Sequence, residues 1–114
     1  MDEKPISREE YIQKVLGAYR RTPGTAGTIR RPDRLLAAQL YVRGVPLCAV
    51  ENAFVLATSR RQIRPAAAPP LSTIRSLAYF SPVIEEVLES RVNPAYYQYL
   101  RYKIQRFLQT ANAR

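Results

Sequence analysis

The stretch DRLLAAQLYVRGVPLCAVENAFVLATSRR, residues 33–61, decides the fold. Pro32 suits the first position of a helix and Asp33 suits its positive end, so a helix is expected from there to Arg43. Leu35, Leu36, Ala38, Leu40 and Val42 leave this helix little polar face, which places it at the centre of the molecule. Gly44 is a left-handed C-terminal cap, Val45 follows in the turn, and Pro46 starts a second helix that continues to about Ser59. On that second helix Val50, Ala53, Phe54 and Ala57 make the core stripe, and Arg60 and Arg61 close it.

Outward from this pair the other segments also read as helices. Ser7-Arg8-Glu9-Glu10 is a capping box, and Tyr11, Ile12, Val15, Leu16 and Tyr19 then fall on one face of a helix to about Arg20. Thr22 to Arg31, broken by Pro23-Gly24 and Gly27, reads as a plain connector; it lacks the lysine and glycine spacing of a phosphate loop. Beyond the hairpin, Arg64-Pro65 to Pro69-Pro70 is a stiff extended link. Ser72 is expected to open a fourth helix carrying Leu71, Ile74, Leu77 and Ala78 as apolar contacts. Ser81-Pro82 then either kinks that helix or starts a new one. Asn93-Pro94 caps and starts the last helix, to about Gln109, with Tyr96, Leu100, Ile104, Phe107 and Leu108 on its inner arc and Tyr97 at the edge. The fold class is therefore all-α: a compact bundle of five or six helices, with a helix-turn-helix-like hairpin and a Pro-kinked fourth helix. It reads as one domain, 1–114, made of a trihelical part (7–61), a Pro-rich connector (62–71) and a C-terminal helical part (72–110).

The hairpin resembles the helix-turn-helix family. There a glycine sits in the turn and an aliphatic residue follows six positions on, as Gly44 and Val50 do here; the position four before the glycine, small in that family, is Leu40. The match covers about a quarter of the chain. Gly44-Val45-Pro46-Leu47 and the later Ile74-Arg75-Ser76-Leu77-Ala78-Tyr79-Phe80 are also loosely similar to helical proteins associated with bacterial replication or mobile elements. The resemblance implies nucleic-acid binding, with the second helix as the recognition helix, and it carries no catalytic residue. On that helix only Asn52 has base-reading chemistry, and Glu51 beside it would repel phosphate, so little sequence preference is expected.

Charge points the same way. The net charge is +9, and fifteen of the eighteen basic residues are arginine, which forks onto phosphate and stacks on bases. Residues 1–10 hold four acids, whereas Tyr11 to Ile84 holds eleven bases against Asp33 and Glu51 alone. Such an excess favours a polyanionic partner through counterion release. Arg30, Arg31, Arg60, Arg61 and Arg64 are the candidate phosphate contacts, and Tyr99, Tyr102, Lys103 and Arg106 form an expected exposed stripe on the last helix, suited to stacking and phosphate contact. Nucleic acid, DNA before RNA, is the expected partner. The alternative is a helical adaptor within a nucleoprotein complex, using the tyrosine stripe or the acidic Glu85-Glu86-Glu89 face, which otherwise reads as an exposed helix surface.

Other classes find little support. Cys48 is the single cysteine and there is no histidine, so an intramolecular disulfide is excluded and a zinc site is not expected. No catalytic constellation is visible, no cofactor is called for, and the expectation is a non-enzyme. Met-Asp-Glu-Lys-Pro is acidic with no apolar run behind it, unlike a secretory signal, and a cytoplasmic location fits.

Overall fold

The computed structural model describes residues 6–65, 67–89 and 94–112, and the side chains of the last helix from Ala95 to Gln109. Five helices make up the described residues: α1 Arg8–Arg21, α2 Arg31–Val42, α3 Leu47–Gln62, α4 Ser81–Glu89 and α5 Pro94–Asn112. A single 3₁₀ turn, Leu77–Phe80, leads into α4. The all-α class holds; none of these helices is long and apolar enough to cross a membrane.

α1 begins as its residues dictate. The Ser7 hydroxyl accepts the Glu10 N–H at 3.1 Å, and Tyr11, Val15, Leu16 and Tyr19 form the buried stripe, with Ile12 packed at its margin. The Tyr11 hydroxyl donates to the Val45 carbonyl at 2.7 Å, which pins the start of α1 to the hairpin turn. Burial pushes the Tyr11 phenol up to about 12, and burial, then the Asp33 carboxylate, raises Tyr19 while Arg30 opposes. With its folded value above that of the unfolded chain, the Tyr11 phenol contributes stability in full below about pH 10, lost as pH rises through about 12. Melting temperature should fall across that window. Tyr11→Phe should soften the fall and cost about 1 kcal/mol at neutral pH for the lost bond to Val45. A Tyr11→Phe curve parallel to that of the parent protein through the window would count against Tyr11 as a source of the alkaline loss.

The hairpin turn is a Schellman motif. Gly44 has φ +74, its N–H reaches the Tyr41 carbonyl at 3.0 Å, and the Val45 N–H reaches Leu40 at 3.0 Å. Leu40 and Val45 complete the motif as buried neighbours in the core. The two helices then part rather than pack along each other. α2 lies on α1 and the 3₁₀ turn, while α3 lies against α1, α4 and α5. Leu40 therefore faces no close helix crossing with α3.

This arrangement corrects which helix is central. α2 was expected at the core, yet Leu35 is 53% exposed and Val42 77% exposed, because nothing among the described residues covers its outer side. The hub is α3, where Ala49, Val50, Ala53, Phe54, Ala57, Thr58 and Ser59 are all buried. Alanines at 49, 53 and 57 keep one row of α3 thin enough for neighbours to approach, and the Thr58 hydroxyl turns inward onto the Phe54 carbonyl at 2.7 Å.

The helix expected from Ser72 is a second correction. Residues 71–76 are extended, and the first helical residue is Leu77. Thr25 and Ile74 form a parallel bridge: the Ala26 N–H donates to Ile74 at 2.8 Å and the Ile74 N–H to Gly24 at 2.7 Å. Loop 22–30 is thus a docking strip for the later segment rather than a plain connector. Ile74, only 2% exposed, reaches the core through this pairing. Leu77 and Phe80 follow it inward, and α4 takes over at Ser81 with Pro82 second, where a missing amide costs nothing. The Leu71 and Ala78 contacts expected of the fourth helix do not form, since both side chains are exposed.

α5 is turned from its expected setting. Tyr97 and Leu100 are buried, Ile104 and Leu108 half-buried, whereas Tyr96 is 47% exposed and Phe107 54%. The helix packs on α3, and its C-terminal half runs clear of the body between two open grooves. The cap expected of Asn93 lies outside the described residues.

Candidate nucleic-acid interface

Three of the expected phosphate contacts are already spoken for or partly enclosed. Arg60 meets Glu86 in a two-pronged pair, one prong at 2.8 Å. Arg43 does the same with Glu85 at 2.8 and 3.0 Å. The arginine hydrogen bonds hold both carboxyls below the usual glutamate range. The acidic face of α4 is thus exposed but not idle. Arg61 is a structural tie: it donates to the Ser72 carbonyl at 2.8 Å and the Tyr79 hydroxyl at 3.3 Å, with its guanidinium 5.7 Å from the Tyr79 ring. A side chain at Gly24, φ +91, would crowd that guanidinium at 3.2 Å. Arg64 is half-buried in a shallow 340 Å³ cleft beside Arg60, Arg61 and Tyr79. Of the expected phosphate contacts, Arg60 and Arg61 thus already hold partners within the fold, a carboxylate for the first and a carbonyl and a ring for the second.

Asn52 is engaged in a similar way. Its Oδ1 accepts from Arg101 of α5 at 3.2 Å, and it is half-buried. More broadly, α3 is hemmed in by α1, α4, α5 and the 3₁₀ turn. What α3 leaves open is a narrow strip, with Cys48 and Arg60 exposed and Glu51, Asn52 and Val55 half-buried.

Apart from the cations of α1, the exposed cations that bear on this reading lie at two places. The first surrounds the start of α2. Arg30, Arg31 and Arg34 are exposed within one helical turn. Exposed Arg75 lies on the neighbouring segment, one residue after Ile74 of the Thr25–Ile74 bridge and two before Leu77, whose N–H is held by Asp33. The carboxylate in their midst is Asp33, 2% exposed, and both its oxygens are occupied: Oδ2 by the Arg30 N–H at 2.8 Å and Oδ1 by the Leu77 N–H at 2.9 Å. No carboxylate among the described residues lies within 4 Å of these four guanidinium groups. Arg34 was visible to sequence reasoning as the one-turn partner of Arg30, but Arg75 was not, since nothing local brings it there.

The second place is α5. Tyr99, Tyr102, Lys103 and Arg106 are all exposed, as the helical spacing requires. Lys103 stands 5.8 Å from the Tyr99 ring centroid, and Arg106 stands 5.8 Å from that of Tyr102 while donating to its hydroxyl at 3.0 Å. Tyr96 and Phe107 add two rings that sequence reasoning had placed inside. No family model matches the chain, and no match is found among curated proteins or solved structures. Function must therefore be argued from these two surfaces alone. Among the described residues there is no cluster of three or more metal-ligating side chains.

Proposed function

We propose that this chain is a non-catalytic nucleic-acid-binding protein, DNA before RNA, that holds the phosphate backbone with little sequence preference. The observation that carries it is the set Arg30, Arg31, Arg34 and Arg75, four exposed arginines on the two backbone segments that Asp33 ties together. Guanidinium forks match phosphate oxygens, and neutralising phosphates releases counterions whatever the base sequence. With the one candidate base reader, Asn52, turned onto Arg101, sequence discrimination has no evident source. Service to replication or to a mobile element, in the cytoplasm, follows from the sequence resemblance and stands as part of the same proposal.

Affinity should be micromolar at low salt. For four phosphate contacts it should drop on the order of 100-fold between about 50 and about 200 mM salt. Arg30→Glu with Arg31→Glu should weaken binding to all sequences alike and lower the salt slope by about 2. Fluorescence anisotropy with labelled oligonucleotides reads both quantities. Binding that ignores salt, or that survives the double reversal unchanged, would remove this site.

A second reading is favoured by the exposed rings of α5: an adaptor within a larger nucleoprotein complex, covered there by another protein. Sedimentation of the purified chain, alone and with nucleic acid, separates the two. An adaptor that self-associates or needs a protein partner shows weak nucleic-acid binding on its own.

A further inference from the structure

We propose that the open groove between the end of α3 and the aromatic ridge of α5 seats unpaired bases, so that the nucleic acid this chain prefers is single-stranded. This rests on the nucleic-acid reading above and adds to it the state of the strand and the surface that senses it.

The groove has a volume of about 1010 Å³. Gln62 at the end of α3 and Ile63 just after it form one wall, and Tyr96, Tyr99 and Phe107 of α5 form the other. Those three rings are 47%, 54% and 54% exposed, and Ile63 is 76% exposed, an apolar wall open to water. With Lys103, the three rings occur at helical spacing of three and four residues. They run as one ridge over about 16 Å, enough to face roughly four to five nucleotides at about 3.4 Å each.

Three physical points select the occupant. First, in a duplex the bases turn their faces to one another and offer a protein only edges and phosphates. Exposed rings gain most from an unpaired strand, whose base faces are free. Second, the charge is right for a polyanion. α5 brings Lys103 and Arg106 to this groove and carries no acidic residue, and Lys103 stands over the Tyr99 ring, so a base stacked at that ring brings its phosphate toward a cation. Another protein chain seated there would have to bury those cations or bring acids to meet them. Third, α3, which the hairpin resemblance would have sent into a major groove, leaves only a narrow strip open.

The test uses the full chain and three probes at matched salt: a labelled oligothymidine, a mixed-sequence single strand, and its duplex of equal length. Both single strands should bind at least about tenfold tighter than the duplex and should quench tyrosine emission as bases stack. Tyr99→Ala and Phe107→Ala should each weaken single-strand binding roughly 5- to 150-fold and leave duplex binding unchanged. Tyr99→Phe, which keeps the ring, should retain the affinity. All three side chains are half-exposed, so circular dichroism should show the variants folded as the parent is.

Equal affinity for duplex and single strand would overturn the inference and leave the polyanion reading standing. So would single-strand binding indifferent to Tyr99→Ala and Phe107→Ala. If those substitutions instead abolish self-association, the face belongs to a second copy of the chain and the inference falls. The absence of any nucleic-acid binding at low salt would sink both. Loss of affinity for all probes in the Arg30→Glu, Arg31→Glu variant, with strand preference intact, shows the two surfaces acting separately, as the proposal requires.

Discussion

Phe80→Ala should lower the unfolding free energy by about 3–5 kcal/mol. The ring is fully buried, in a turn only four residues long, yet it meets two other helices as well as its own neighbour. Phe54 of α3 approaches edge-on with centroids 4.7 Å apart, Tyr19 of α1 lies at 6.1 Å, and the neighbouring Tyr79 lies at 5.1 Å. Removing the ring leaves a cavity among side chains held by three different elements, none of which can shift inward without dragging its own packing. Phe80→Leu keeps most of the volume and should cost about 1–1.5 kcal/mol. Urea denaturation of parent and variants, with the slope checked for constancy, measures both. A loss under about 1 kcal/mol for the alanine variant would mean that Phe80 does not join α1 to α3.

Asp33→Ala should be comparably severe, at about 3–5 kcal/mol, for an electrostatic rather than a volumetric reason. One carboxylate closes the first turn of α2 through Arg30 and holds the start of the 3₁₀ turn through Leu77. Its loss strands the Leu77 N–H in a buried place and leaves the Arg30 N–H without its cap, each formerly paired with a charge. Asp33→Asn keeps one acceptor oxygen and presents an NH₂ to the other donor, so it should lie between parent and alanine. The same substitutions bear on binding. Freed from Asp33, Leu77 and with it Arg75 need no longer stay beside Arg30. Asp33→Asn should therefore blunt the response of affinity to Arg75→Glu, although it raises the net charge. If Asp33→Ala melts with the parent, or Arg75→Glu acts identically in both backgrounds, Asp33 is not the organiser of that surface.

The local rules were legible because their partners sit within one helical turn. Ser7 finds Glu10 three residues on, Gly44 terminates a helix by its own φ, and Tyr99, Tyr102, Lys103 and Arg106 share an exposed side by spacing alone. Where sequence reasoning went wrong, the deciding partner was distant. Ser72 to Ser76 looks helical by apolar spacing but is extended, because Gly24 and Ala26 offer Ile74 backbone bonds that a helix would forgo. Nothing near Arg60 or Arg43 in the sequence announces that α4 pairs them with Glu86 and Glu85, separated from them by 26 and 42 residues. α2 looked central because it is apolar, but apolarity does not say which faces are covered, and Leu35 and Val42 stayed in water.

The sequence by itself determined an all-α chain, the caps and turn of its first helices, and a large excess of arginine. Those properties depend on caps, spacing and composition, which act over a few residues or over none. Only the tertiary structure decided which arginines remain open to a partner, that α3 rather than α2 is the hub, and that α5 overhangs with its rings exposed. Ion pairing and burial are contacts between surfaces, and no surface exists until the helices have met.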